Sequence, residues 1–201
     1  MEEAVKYHVL PIDDRSIERF DPVIAGRPDL MNGRTKLELY EGAKGIPENA
    51  FINIKNTSLT ITADVEVPTT GTGVIICQGG DFGGWTFYMV DGKPSYTYNW
   101  VGLESYTISS TQKVVPGKHV IKFDFAYDGG GRGAGGTGTI YVDDKKFAEG
   151  KIGKTNSNTF GIDESADVGT DENTPVFPPY HGKEKFNGKI NKVTVETFPG
   201  K

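Results

Sequence analysis

The chain has 201 residues, with 22 basic against 27 acidic side chains and a net charge of −5. That balance disfavours a nucleic-acid partner, whose phosphates call for a basic patch. No apolar run approaches the ~18 residues of a membrane-spanning helix, and the one cysteine, Cys77, excludes an internal disulfide.

The first twenty residues differ from the rest. MEEAVKYHVL is acidic and then mixed, unlike a secretion signal. Glu2 to Tyr7 predict one or two helical turns, ended by Pro11. Residues 1–20 read as a connecting arm and 21–201 as one β-domain.

From about Phe20, turn signals recur about every 8–12 residues, the rhythm of a sandwich. Strands are predicted over Arg34–Tyr40, Phe51–Ile54, Ser58–Glu66, Gly73–Gln78, Trp85–Val90, Lys93–Trp100, Glu104–Ser109, Lys118–Tyr127, Gly138–Val142, Lys145–Gly150 and Gly188–Glu196. SLTITADVEV places its apolar residues at every second position, as a half-buried strand does. HVIKFDF does the same. Asp91-Gly92 and Asp143-Asp144 read as tight hairpin turns. Cys77, within VIIC, reads as a small buried hydrophobe. The glycine-rich DGGGRGAGGTG at Asp128–Gly138 invites a phosphate-loop reading, which also needs a Lys-Ser or Lys-Thr pair and a following helix. Here the glycines run into TIYV, so they read as a loop feeding a strand. Thr155–Lys185 is rich in Gly, Pro, Asn and Asp and is predicted as a long loop, a kind usually functional or packed against something.

Enzymatic constellations are thin. The Glu-x-Asp-x-x-Glu string of some jelly-roll glycosidases is absent, and Glu38 and Glu41 read as solvated carboxylates beside a Gly turn. His8, His119 and His181 have no nucleophile motif nearby. Asp163, Asp167 and Asp171 recur every fourth residue, but Gly161, Gly169 and Pro175 argue against a helix there. Oxygen-rich loops of this kind bind calcium, and Asp also serves in turns and caps. These three are the metal candidates. Trp85, Tyr88, Tyr96, Tyr98, Trp100 and Tyr106 cluster within 22 residues, and Tyr96, Tyr98 and Trp100 share one strand face. Such rings stack on sugars or fill a sandwich core. Asn99, Glu104 and Arg132 are polar neighbours that would serve a glycan or a partner domain, and the pattern does not choose. The ligand or interface candidates are therefore Trp85, Tyr98, Asn99, Trp100, Glu104 and Arg132. Asn56-Thr57-Ser58 fits a glycosylation sequon, which matters only on a eukaryotic secretory route.

Two segments carry a fold likeness. TIYVDDKKFAEGKI resembles a late hairpin of concanavalin A-like and laminin G-like sandwiches, and FNGKINKVTVE resembles their closing strand. Longer ordered blocks resemble the C-terminal domain of bacterial arylsulfatases. They include NAFINIKNTSLTITADVEVP, GVIICQGGDFGGWTFYMVDGKPSYTYNWVGLESYTI, FDFAYDGGGRGAGGTGTIYVDDKKFAEGKI and DVGTDENTPV. AVKYHVLPIDDR is similar to the connector leaving the sulfatase catalytic domain. The resemblance implies an all-β, concanavalin A-like jelly roll of two antiparallel sheets behind a short arm. It also implies a non-catalytic domain that packs in cis on a sulfuric ester hydrolase and shapes its substrate cleft. The loops 81–85, 100–104 and 128–138 are the surfaces expected to do so.

The departure is equally informative. Sulfatases of this family use a formylglycine made within Cys/Ser-x-Pro/Ala-x-Arg, whereas Cys77 is followed by Gln78-Gly79-Gly80. The chain by itself is expected to be non-enzymatic, and the catalytic domain's formylglycine and calcium site are not encoded in it. Two other readings stay open: a carbohydrate-binding module for sulfated glycans, and a stand-alone interaction domain. The sequence leaves the compartment open, and an export signal would lie upstream of Met1.

Overall fold

The computed structural model describes residues 2–7, 30–161, 163–180 and 184–198. Two compact units divide between Asn32 and Gly33. In the first, Glu2–Lys6 forms one short α-helix with two acidic residues in its first turn and a basic one in its last, the polarity the helix dipole favours. Residues 8–29, which include His8 and the expected arm boundary at residue 20, lie outside the described residues, as does His181.

The second unit is a sandwich of two six-stranded antiparallel sheets. Its strands are β1 (Lys36–Leu39), β2 (Ile46–Pro47), β3 (Ser58–Val67), β4 (Gly73–Gly80), β5 (Gly83–Val90) and β6 (Lys93–Trp100). They continue as β7 (Glu104–Ser109), β8 (Gly117–Tyr127), β9 (Ala134–Val142), β10 (Lys145–Lys154), β11 (Ser165–Val168) and β12 (Lys189–Phe198). The first sheet has the order β1-β12-β3-β8-β9-β10 and the second β2-β11-β4-β5-β6-β7. This is the concanavalin A-like architecture expected.

The core lies between the sheets. Leu59, Ile61, Ala63, Val65 and Val67 of β3 face it, as their alternation requires. Aromatic rings bridge the two layers. Tyr96 of the second sheet stacks on Phe123 of the first with centroids 3.7 Å apart, and Trp85 stacks on Tyr96 at 6.1 Å. Both predicted tight turns have positive φ at both central residues, Asp91-Gly92 and Asp143-Asp144, as a hairpin matched to strand twist demands.

Three expectations need correction. Phe51–Ile54 is not a strand. It follows a 3-10 turn at Glu48–Ala50, and Phe51, Ile52 and Ile54 plug the core without ladder pairing. β2 and β11 fall where no strand was predicted, and β11 lies inside the expected loop 155–185. The second half of the glycine run is strand, not loop: β9 starts at Ala134. A Cβ on Gly135 would lie 2.2 Å from the Ile152 carbonyl oxygen, and one on Gly138 would lie 2.6 Å from Ile108 and 2.7 Å from Phe123. These glycines admit neighbouring backbone and core rings where no side chain fits. The first half, Gly129 to Gly133, is a turn with positive φ at four glycines. It is pinned by the bond from Gly133 N to Asn56 Oδ1 at 2.7 Å and by one from the Tyr127 hydroxyl to the Gly131 carbonyl.

Candidate functional site

Two surface features stand out, one at an end of β5 and β6 and one on the outer face of the second sheet. The first is the tip formed by the β4–β5 and β6–β7 turns. Phe82 and Leu103 are each 76% exposed, and Val101 is 37% exposed. The two turns abut, since a Cβ on Gly102 would lie 3.1 Å from the Asp81 carbonyl oxygen and one on Gly83 would lie 3.5 Å from Val101. Val101 has φ +48°, a left-handed conformation that is costly for a β-branched residue.

Asn99 cross-links this tip. The residue is 3% exposed. Its amide nitrogen donates to the carbonyls of Gly80, Asp81 and Val176 at 3.1, 2.9 and 3.2 Å, while its Oδ1 accepts from Gly102 N at 2.9 Å. One buried amide therefore ties both turns to the segment beyond β11. Loss of such a satisfied buried group leaves several backbone polar groups unpaired.

The other candidates divide between core and surface. Trp85 is fully buried, and its indole nitrogen donates to Gln78 Oε1 at 3.1 Å. Tyr98 is 5% exposed, and its hydroxyl accepts from Asn156 N at 2.6 Å. Burial pushes the Tyr98 phenol well above its ordinary range. Trp100 is half-buried, with the Lys154 ammonium 4.4 Å from its ring centroid. Lys154 in turn donates to Glu104 Oε1 at 2.7 Å, and Tyr106 donates to the other oxygen. Those two bonds hold the Glu104 carboxyl below its usual value. Arg132 is exposed on the glycine turn. The structure thus gathers Trp100 and Glu104 beside one lysine, leaves Arg132 apart, and seals Trp85 and Tyr98 inside.

The second feature is the outer face of the second sheet. Val74 and Cys77 of β4 and Tyr88 of β5 are covered by Val176 and Tyr180, with Phe177 packed against them. At the base of this cover Cys77, Asp167 and Asp171 offer one ligand atom each, all within 4.8 Å of one another. Asp163 is exposed and takes no part. Asp167 accepts from Gly45 N at 2.8 Å and Glu172 N at 3.2 Å. Asp171 Oδ2 accepts from Val176 N at 2.9 Å and from the Tyr180 hydroxyl. Asp171 Oδ1 is buried with no partner among the described residues. Burial raises the Asp171 carboxyl to about 6 against those hydrogen bonds, and it pushes the Cys77 thiol well up. The set folds the covering segment onto the sheet. As a ligand group it presents two carboxylates and a thiol, short of the roughly six to eight oxygens calcium takes.

Beside this cover lies an open cleft of about 480 Å³, bounded by Tyr88, Ser95, Ser109, Lys93, Lys113 and Phe177 among others. A small void near Tyr98 and Phe160 measures about 10 Å³, room for about one water. His119, the one histidine described, bonds Asp143 Oδ2 at 2.7 Å and the Val115 carbonyl at 2.8 Å, which fastens a hairpin.

No family model matches the chain, and no curated protein does. Solved structures with a similar fold include domains LG4-5 of the mouse laminin alpha1 chain, at 11% identity and a TM-score of 0.48. They also include a heptameric SAP-like pentraxin from Limulus polyphemus, at 13% and 0.45, and the receptor binding domain of botulinum neurotoxin type G, at 15% and 0.41. The matches cover 81%, 82% and 81% of this chain. They cover 39% of the laminin chain, 78% of the pentraxin and 38% of the toxin domain. The likeness is one of fold.

Proposed function

We propose that this chain is a non-catalytic accessory sandwich that docks on the catalytic domain of an arylsulfatase-like sulfuric ester hydrolase. The observation that carries the docking reading is the tip: Phe82, Val101 and Leu103 project apolar surface from two turns that a buried asparagine cross-links. Exposed apolar residues gathered on a fixed scaffold mark an interaction surface. A β-branched residue kept in a left-handed turn is a local strain of the kind that accompanies function. The sulfatase identity of the partner rests on the sequence blocks that resemble the C-terminal domain of that family. The arm 1–20 is, on this reading, the connector to the catalytic domain. The missing formylglycine motif agrees with a role in shaping a neighbour's cleft rather than in chemistry.

Surface plasmon resonance tests this against an arylsulfatase catalytic domain prepared without its own C-terminal domain. The wild-type chain is expected to bind. The double variant Phe82→Ser, Leu103→Ser is expected to bind about tenfold more weakly or worse, as loss of central apolar anchors does, with an unchanged Tm. Equal binding by the variant, or none by the wild type, refutes the docking role.

A further inference from the structure

The cleft beside the outer-face cover lies at the far end of β5 and β6 from the tip, so it stands independently of the docking surface. Its position follows from local structure. The Asp91-Gly92 turn sends β6 back along β5, and the segment after β7 folds beside that turn through bonds from Ser110 N to the Pro94 carbonyl and Val114 N to the Gly92 carbonyl. This brings Lys93 and Lys113 to one rim. Phe177 also lines the cleft, held 5.8 Å from Tyr88 and 5.9 Å from Tyr180 by ring packing. The floor carries hydroxyls. Ser95 is 3% exposed, and the Tyr88 hydroxyl joins a chain through Thr97 Oγ1 at 3.1 Å to Thr107 Oγ1 at 2.8 Å.

Lysines on both faces, from Lys36 to Lys192, reach a carboxylate. Lys93 and Lys113, like Lys145 and Lys185, pair with none among the described residues, although Asp91 shares their rim. The cleft therefore presents two cations against one carboxylate, a ring face and inward hydroxyls, in a volume of about 480 Å³, within the roughly 300–1,000 Å³ of small-molecule sites.

We propose that this cleft binds a sugar unit bearing an acidic group, with the ring on Phe177, the anion between Lys93 and Lys113, and the sugar hydroxyls on Ser95 and Ser109. Ammonium groups supply charge-assisted hydrogen bonds to sulfate or carboxylate oxygens, and an aromatic face gives the apolar side of a sugar ring a surface to cover. Sulfate and carboxylate share this chemistry, so the experiment separates them.

The full chain is titrated with a sulfated disaccharide, a uronic-acid disaccharide, the same disaccharide without charge, and inorganic sulfate, followed by backbone amide NMR shifts and calorimetry. At least one acidic sugar is expected to bind about tenfold tighter than the neutral one, with shifts at Lys93, Ser95, Ser109, Lys113 and Phe177. Which acidic sugar binds more tightly names the group. Lys93→Ala with Lys113→Ala is expected to cost tenfold or more in affinity at unchanged Tm, and Phe177→Ala is expected to weaken every sugar but not inorganic sulfate. Equal affinity for neutral and acidic sugars, shifts confined to other residues, or an unaffected double lysine variant each overturns the proposal. Inorganic sulfate binding as tightly as the sugars reduces the site to an anion site and overturns it as well.

Discussion

The two outer faces of the sandwich are built on opposite plans. On the first sheet the outward residues of β3 and its neighbours are polar and tied to one another. Thr60 bonds Asp124 at 2.9 Å, Lys122 reaches Asp124 at 3.1 Å, and Lys36 and Lys192 both reach Glu38 at 3.4 Å. On the second sheet all eight residues of β4 are buried, because the segment from Asp171 to Tyr180 lies over the outer face. A strand with one wet face alternates in sequence, while a strand covered on both sides reads as a continuous apolar run. SLTITADVEV and GVIIC are these two cases in one chain.

Three experiments probe that difference, in descending size of effect. Val176 is fully buried against the outer face of the second sheet. Val176→Asp places an unpaired charge there and is expected to lower stability by about 4 kcal/mol or more, whereas Thr62→Asp on the first sheet's outer face should change it by less than about 0.5 kcal/mol. Urea denaturation of both variants measures the contrast, and similar losses would show that the two faces are not distinct.

Next comes Asp171. Its folded-state carboxyl sits at about 6, above the 3.8 of the free side chain, because of burial. A raised acid favours folding most when protonated, so this contribution is full below the unfolded value and is lost as pH rises from about 4 through about 6. Asp171→Asn keeps an acceptor for Val176 N and the Tyr180 hydroxyl and removes the charge. Its Tm relative to wild type is expected to be higher at about pH 7.5 than at about pH 4.5, and a difference independent of pH would contradict the buried-carboxylate account. The smallest effect belongs to the first sheet. Glu38→Ala breaks two exposed ion pairs and is expected to cost less than about 1 kcal/mol, less still at high salt. A larger loss in thermal unfolding would mean that the wet face carries more of the stability than its exposure implies.

Much of the sandwich was legible because β3, β8 and the Asp-containing turns obey local rules of alternation and positive φ. What was missed has local reasons too. β2 has two residues and β11 four, too short for any period to show. In β12 the alternation holds only towards its end, because a register shift between Ile190 and Lys192 inserts a residue. Glycines 135, 136 and 138 look like loop residues because the demand they meet, the approach of Phe125, Phe123 and the Ile152 carbonyl, comes from distant sequence. The candidate site was half legible. The turns at 81–85 and 100–104 were expected at the surface, and apolar Phe82 and Leu103 beside glycines were a visible signal of an exposed tip. Asn99 was singled out as a contact residue, yet its partners are backbone groups of two turns and a remote segment, which no residue pattern announces. Lys93, Lys113 and Phe177 meet only after folding, so no spacing in the chain marks the cleft.

The order of the sheets has a consequence for self-association. A free strand edge is a template on which another chain can polymerise, and the four edges here are β1, β10, β2 and β7. β2 is two residues long and ends in proline, and β1 has four residues with Lys36 and Glu38 at alternate positions. β10 carries Lys145, Lys146, Lys151 and Lys154. Its Gly150 and Gly153 lie against Ile108 and Tyr106 of β7, so the two long edges lean on each other. Among the described residues every edge strand is short or carries charge, which works against edge-to-edge growth even beside an exposed apolar tip.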